Sequence, residues 1–375
     1  MGIGPEGRLL AGVAGLATGS QTRPSVDGVD WGSFLHLANA HSLLPLAERT
    51  LQANELPDGE LTRLRALSKE AGQRNLVLAS DLLSVHRALS DGGVTAVPFK
   101  GPVLAQSFYG NIALRPSVDL DFIVPEPEVQ RARAVLEDLG FVGGPPGSTT
   151  PPYLRYQNEF SMVRASDGRL AELQWAIAPR YFTIPLDLTT FVPRLTAVEF
   201  GGRTLPSFSD EDLLFLLLIH GGKHLWERLI WVCDIAKLVS QSPAMDWDKV
   251  LGPARDARVV RMVLLGLRLA LRLQADVPVP NEVLRTLRAD QDVESLAKRI
   301  WARTLTGDPS LGTPPFRTLD LLLREDLRDR ATICWRLATT TTEGDRAWAT
   351  LPEQFSFAYP ALRPVRLALK YIRPR

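Results

Sequence analysis

Cysteine is almost absent from this sequence, and so is a net charge. The 375 residues include two cysteines, Cys233 and Cys334, which lie far apart and belong to no paired motif. This spacing excludes a disulfide framework and favours a reducing cytoplasm. The net charge of +1 excludes a global field that would attract nucleic acid or an anionic membrane. Any function must therefore depend on local groups of residues.

Long apolar runs are also absent. The most apolar stretch, residues 213–219, is far shorter than the roughly 20 residues that a membrane-spanning helix needs. The next one, residues 259–273, is interrupted by Arg261, Arg268 and Arg272. Hydrophobic residues make up 45% of the chain and charged residues 23%, which is typical of water-soluble globular proteins. We therefore expect no membrane partner.

Two acidic residues alternate along a predicted strand at residues 118–124 (VDLDFIV). β-Branched and aromatic residues dominate this stretch, as in most strands. Side chains two positions apart leave a strand on the same face, so Asp119 and Asp121 point one way, whereas Leu120 and Phe122 point into a core. Neighbouring carboxylates repel each other unless a cation binds between them. Mg²⁺, or Mn²⁺ in its place, suits this position because it leaves sites open for substrate phosphates.

A glycine turn precedes this strand. Residues 94–99 are predicted to form another strand, in which Pro98 indicates an edge position or the end of the strand. Lys100 and Gly101 follow, and Pro102 in the first helical turn is typical of a helix start. The free N–H groups at such a helix start, together with the Lys100 ammonium, are suited to hold a triphosphate.

A third carboxylate would complete the metal site, and Glu172 is the best candidate. Residues 170–175 alternate between apolar and polar side chains, as a half-buried strand does. Residues 160–164 precede this strand, and the turn-forming residues 166–168 (SDG) predict a β-hairpin between the two.

Taken in order, these motifs resemble the uncharacterised bacterial nucleotidyltransferase family of the polymerase-β-like nucleotidyltransferase superfamily. The shared pattern is a Lys-Gly turn, an arginine shortly before an Asp-x-Asp strand, and a later acidic-Leu-x-Trp strand. The resemblance extends over residues 31–238 and includes the segment HGGKHLW at 220–226. It implies an NTP donor, a divalent metal ion and transfer of a nucleoside monophosphate.

The resemblance also implies a role for individual residues. Asp119 and Asp121 correspond to the metal pair and Glu172 to the third catalytic acid. Lys100 and Gly101 stand in place of the Gly-Ser turn of the wider superfamily. Pro102 follows them where that superfamily has serine, and Gln174 stands where the family often has histidine before tryptophan; these two positions depart from the pattern.

One further arginine and one group of basic residues each have more than one interpretation. Arg115 either forms an ion pair that orients the carboxylates or contacts phosphate directly. His220, Lys223 and His224 share one helix face, and they are ligands of zinc or a third ligand set, packing residues at a helix end, or substrate contacts. Among them, Lys223 is the predicted phosphate contact.

The order of predicted elements indicates an α+β protein with a small mixed sheet between helical segments. We divide it into a helical N-terminal subdomain at 1–90, a nucleotidyltransferase core at 91–206 and a helical C-terminal subdomain at 207–375. Residues up to about 27 are rich in glycine and weakly patterned, so we expect their ends to fray and place the first predicted helix after them, from residue 29.

The sequence favours an enzyme that transfers a nucleoside monophosphate from an NTP to a small molecule or a peptide, with release of pyrophosphate. The near-neutral charge argues against a long nucleic-acid acceptor. Two alternatives stay open. One is a non-catalytic module that keeps the fold and binds nucleotide, motivated by the missing serine after Gly101. The other is a toxin-like enzyme that modifies tRNA or a protein.

Overall fold

The structure, a computed structural model, describes residues 2–143, 157–178, 188–306, 321–339 and 358–372. It also describes the single residues 154, 182, 184, 186, 345, 348, 349 and 355.

The first helix corrects an expectation from the sequence. Residues Pro5–Thr18 form α1, in a segment for which we predicted no helix. Leu9, Leu10 and Val13 on this helix are fully buried. The glycines in it permit close packing: a Cβ at Gly7 would lie 2.2 Å from the carbonyl oxygen of Leu305. Glycine here marks a close helix contact, which the weak local pattern could not reveal.

Three more helices precede the sheet. They are α2 (Trp31–Ala40), α3 (Leu44–Thr50) and the long α4 (Asp58–Asp91). On α4, Leu78, Leu82, Val85 and Leu89 recur at helical spacing and are buried against the sheet. This long helix therefore forms the support on which the sheet packs.

The main sheet is small and mixed, as predicted. The strands and the helices between them are, in chain order, β1 (Val97–Pro98), α5 (Gly101–Tyr109), β2 (Asp119–Ile123), α6 (Val129–Asp138), β3 (Phe141–Gly143), β4 (Glu159–Arg164) and β5 (Leu170–Gln174). The spatial order is β1-β2-β5-β4-β3. Strands β2 and β5 are parallel, and the other pairs are antiparallel. The predicted β4–β5 hairpin is confirmed. Strand β1 is shorter than the predicted strand at 94–99; it lies at the sheet edge and ends at Pro98.

A separate hairpin and a series of helices follow. The hairpin pairs β6 (Thr196–Phe200) with β7 (Arg203–Ser207). The helices are α7 (Asp210–Lys223), α8 (Leu229–Gln241), α9 (Trp247–Asp256), α10 (Val260–Leu273), α11 (Asn281–Ala289), α12 (Gln291–Thr306), α13 (Leu327–Thr339) and α14 (Tyr359–Ile372). Among the described residues, none of the helices is long and apolar enough to cross a membrane.

Two hydrophobic clusters organise these elements. One joins α1, α2 and α3 to the helices after the sheet, and the other lies between the sheet, α4 and α6. The N-terminal and C-terminal helices thus share one core, with α5 reaching into it through Leu104 and Phe108. The predicted α+β class is confirmed, whereas the division at residues 90 and 206 stays a prediction.

Candidate active site

Three carboxylates converge on one face of the main sheet. Asp119 and Asp121 leave β2 on the same side, while Leu120 and Phe122 between and beside them are fully buried on the other. Strand β5 runs parallel to β2 with Glu172 directly beside Asp121. As a result, one oxygen from each of the three carboxylates lies within 4.8 Å of the other two. The structure brings together the residues that the sequence nominated for a metal site.

Neighbouring polar groups fix the orientation of these carboxylates. Gln174 donates a hydrogen bond from Nε2 to Oδ1 of Asp121 at 2.8 Å. The Lys100 ammonium lies 3.3 Å from the other oxygen of Asp121. Ser161 donates to Glu172 at 3.0 Å. Gln174, which departs from the family pattern, therefore orients a carboxylate in this protein.

The electrostatics of the group indicate uncompensated negative charge. Burial, and then the neighbouring charge of Asp121, raise the pKa of Asp119 to about 6. Burial, Asp121 and Glu159 raise the pKa of Glu172 to about 7. Both shifts favour the protonated carboxyl, and a bound cation would reverse them. Clustered carboxylate oxygens are also the ligands that Mg²⁺ prefers, so the residues present fit a divalent metal ion.

The glycine turn adopts a strained backbone beside the carboxylates. Lys100 is the N-cap residue of α5, and its backbone angles are φ of 66° and ψ of −142°. Gly101 follows with φ of 57°. Glycine accepts such angles readily, but a lysine at positive φ stores strain of about 1–3 kcal/mol. The Lys100 ammonium is held by Asp121 and lies 3.5 Å from Nε2 of His220. Strained residues held by their surroundings are frequent at functional sites.

Arg115 is a buried structural cation whose partner the sequence did not reveal. Its guanidinium donates to both carboxylate oxygens of Asp234 on α8, at 2.7–3.0 Å. The Tyr109 hydroxyl donates to the same carboxylate at 2.9 Å. The ion pair that we considered for Arg115 therefore exists, but with Asp234 and not with the strand carboxylates.

The histidine segment lies opposite the acidic strands. The His220 ring lies 4.7 Å from that of His224 and 5.0 Å from that of Trp231, measured between centroids. Burial lowers the pKa of His220 well below its usual value. The Lys223 ammonium pairs with Glu159 at 3.4 Å. Within the described residues, none of these histidines belongs to a group of three potential metal ligands.

These elements enclose a cavity of about 200 Å³. The acidic strands form one wall and the ends of α7 and α8 form the other. The lining includes the three carboxylates, Lys100, Gly101, Arg115, Ser117, His220, His224, Arg228 and Trp231. Lys223 is not among the lining residues.

Asn75 on α4 is a site residue that we did not predict. Its side chain is fully buried and organises the segment that leads into β2. The amide Nδ2 donates to the carbonyl oxygens of Ile112 and of Arg115, and Oδ1 accepts from the backbone and the hydroxyl of Ser117. The available signal was a polar residue on the apolar face of a long helix, between Ala71 and Ala79.

A mixed sheet with an Asp-x-Asp strand, a third acid on the adjacent parallel strand and a glycine turn at a helix start is the arrangement of a nucleotidyltransferase. A family model described as "Uncharacterised nucleotidyltransferase" matches residues 27–274, about two thirds of the chain. The protein belongs to this family and is a nucleotidyltransferase. No curated protein and no solved structure matched the chain.

Proposed function

We propose that this protein transfers a nucleoside monophosphate from an NTP to a hydroxyl or similar group of a small molecule or a peptide, with release of pyrophosphate. The convergence of Asp119, Asp121 and Glu172 is the observation that carries this proposal. In it, these carboxylates hold Mg²⁺, or Mn²⁺ in its place. The metal would supply charge neutralisation at the phosphoryl oxygens during in-line displacement.

Glu172 has the properties of a general base in this reaction. Its pKa of about 7 belongs to the metal-free site, and a bound cation would lower it and keep the carboxylate ionised, the form in which a base accepts a proton. Ser161 orients Glu172 by donating to one carboxylate oxygen, and the remaining lone pairs are available to the metal and to an acceptor hydroxyl. We assign Asp119 and Asp121 to metal binding and Glu172 to metal binding and to proton removal.

The Lys100–Gly101 turn is assigned to the triphosphate. The N–H groups at the start of α5 and the Lys100 ammonium would stabilise the negative charge that develops on the leaving pyrophosphate. Arg115 and Lys223 are assigned an indirect contribution to nucleotide binding, because their charges are paired with Asp234 and Glu159. They would shape the site and offset its negative charge.

A small or peptidic acceptor is favoured by charge. A net charge of +1 offers little attraction for a long nucleic-acid strand.

The test is thermal stabilisation by ATP, GTP, CTP and UTP, each with and without Mg²⁺, followed by measurement of pyrophosphate release. Wild type is compared with Asp119→Asn/Asp121→Asn and with the control Asp138→Asn, which changes an exposed acid on α6. We expect a Mg²⁺-dependent shift with at least one NTP that the control keeps and the double variant loses. Absence of a shift with every nucleotide would contradict the proposal.

Pro102 gives a specific reason to retain the non-catalytic alternative, since it replaces a serine that would donate to phosphate. Nucleotide binding without pyrophosphate release across a broad acceptor panel would favour that alternative. Growth arrest on expression that disappears with Asp121→Ala would instead indicate a toxin-like enzyme.

A further inference from the structure

Arg228 differs from the other cations that line the cavity. Lys100 is paired with Asp121, and Arg115 is paired with Asp234. Arg228 is half-buried, lines the same cavity and makes no ion pair with any described residue. Its guanidinium lies 6.0 Å from the ring centroid of Trp231, another lining residue. The site therefore contains one arginine whose charge the described protein does not neutralise.

The chain before Arg228 is fixed by a strained turn. Leu225 and Trp226 both have left-handed backbone angles, with φ of 50° and 54°. The Trp226 side chain is fully buried, and its ring packs so closely that a Cβ at Gly221 or Gly266 would lie 2.4–2.5 Å from it. The packing of one large ring thus stabilises two unfavourable backbone conformations.

The chain after Arg228 is fixed as well. Leu229 is fully buried, and its N–H donates to Nδ1 of His41 at 3.2 Å. Helix α8 begins at this residue, and Ile230 in its first turn also lines the cavity. Arg228 is therefore held at a rigid junction next to the positive end of a helix dipole, where an anion is stabilised.

A second polar group in the cavity wall lacks a partner. His220 is 6% exposed and lines the cavity, and its Nδ1 has no hydrogen-bond partner among the described residues. The wall formed by α7 and α8 thus carries an unneutralised guanidinium and an unsatisfied ring nitrogen. Both observations indicate a polar ligand that the protein itself does not supply.

Arg228 and the glycine turn are both neighbours of Asp119 in this cavity. The positive charge of Arg228 favours the ionised form of Asp119. The Cβ position of Gly101 lies 4.0 Å from the carbonyl oxygen of Asp119. A ligand at the glycine turn would therefore lie in the same part of the cavity as Arg228.

We propose that Arg228 binds the β- and γ-phosphates of the donor nucleotide, the part of the donor that leaves as pyrophosphate. This inference rests on the nucleotidyl transfer proposed above. A triphosphate brings more negative charge than one metal ion and the paired Lys100 can offset, and a guanidinium donates to phosphate in a bidentate manner. Arg228 would then be the phosphate contact, the role that the sequence analysis predicted for Lys223.

The experiment uses isothermal titration of the full chain with pyrophosphate, with each NTP and with each NMP, all in the presence of Mg²⁺. The variants are Arg228→Met, which keeps the length of the side chain, and Arg228→Lys, which keeps its charge. Arg65→Met, at an exposed position of α4, is the control. Melting temperature without ligand verifies that each variant is folded.

We expect Arg228→Met to bind pyrophosphate and the preferred NTP about 10- to 100-fold more weakly, the effect of losing one charged hydrogen-bonding partner. NMP binding should stay within about twofold of wild type, Arg228→Lys should be intermediate, and the control should match wild type. Unchanged pyrophosphate and NTP affinity in Arg228→Met would overturn the assignment while leaving the proposed function intact. An equal fall in NMP and NTP affinity would also overturn the assignment and leave the proposed function intact, since Arg228 would then contact the transferred group. If wild type binds no NTP and no pyrophosphate, the proposed function fails together with this inference.

Discussion

Replacing Glu172 by glutamine should change how the stability of the metal-free protein depends on pH. The pKa of Glu172 rises from 4.5 to about 7 on folding, mainly because of burial. Between these two values the unfolded carboxyl has released its proton while the folded carboxyl still holds it. The contribution of Glu172 to the free energy of unfolding therefore falls as the pH rises from about 4.5 to about 7, and it is constant above that window. Buried His41 and His220, whose pKa values are lowered, contribute in the opposite direction over part of the window, so the effect of Glu172 is read from the difference between wild type and variant.

The magnitude follows from the size of the shift. Each pKa unit corresponds to about 1.4 kcal/mol, which gives about 3 kcal/mol for a fully buried group. Glu172 is only partly buried, and solvent screening reduces the expected loss to about 2 kcal/mol. Asp119, with a folded pKa of about 6, contributes in the same direction.

The assay is urea unfolding in the presence of a chelator, at pH values across the window and above it. Relative to wild type, Glu172→Gln should gain stability as the pH rises through the window and keep that advantage above it, whereas Glu48→Gln, at an exposed position, should follow wild type. Excess Mg²⁺ should stabilise wild type at the upper end of the window and affect the variant less, because the ionised carboxylate is the metal ligand. A stability difference between wild type and Glu172→Gln that is the same at every pH would refute the reasoning.

Three further predictions concern groups around the site. Asn75→Ala should lower the free energy of unfolding by about 3 kcal/mol in urea titrations, because it leaves buried backbone groups of the segment before β2 without partners; a loss under about 1 kcal/mol would show that water replaces the amide. Lys100→Gly should be more stable than Lys100→Ala by about 1 kcal/mol, the reverse of the usual order, because only glycine relieves the positive φ; equal melting temperatures would exclude strain at this position. Arg115→Met should cost about 3–5 kcal/mol by leaving Asp234 buried without its partner, and adding Asp234→Leu should recover much of that loss; a double variant no more stable than the single one would contradict the pairing.

Several features of the site could be predicted because they depend on residues close together in the sequence. The period of two in a strand places Asp119 and Asp121 on one face and Leu120 and Phe122 on the other. The start of α5 at Gly101 follows from the glycine and proline there. The family resemblance then supplied Glu172 as the third acid, and the parallel register of β2 and β5 places it beside Asp121.

The remaining features depend on pairings between distant parts of the chain. Asp234 as the partner of Arg115, Glu159 as the partner of Lys223 and the position of Arg228 in the cavity all arise from how α7 and α8 pack against the sheet. Local periodicity indicates which face of a helix is buried but not which element packs against that face. For the same reason, the burial of α1 was not predicted: its glycines resemble a flexible segment until Leu305 is placed against them.

The sequence by itself determined the acidic strand, the glycine turn and the α+β class, since backbone geometry and side-chain periodicity are local properties. Only the tertiary structure decided which charges are neutralised within the protein and which remain for a ligand. The reason is physical: the pairing of a charged side chain depends on the distance to its nearest opposite charge in space. For Arg115 that charge comes from a residue more than a hundred positions away along the chain, and Arg228 forms no ion pair with any described residue.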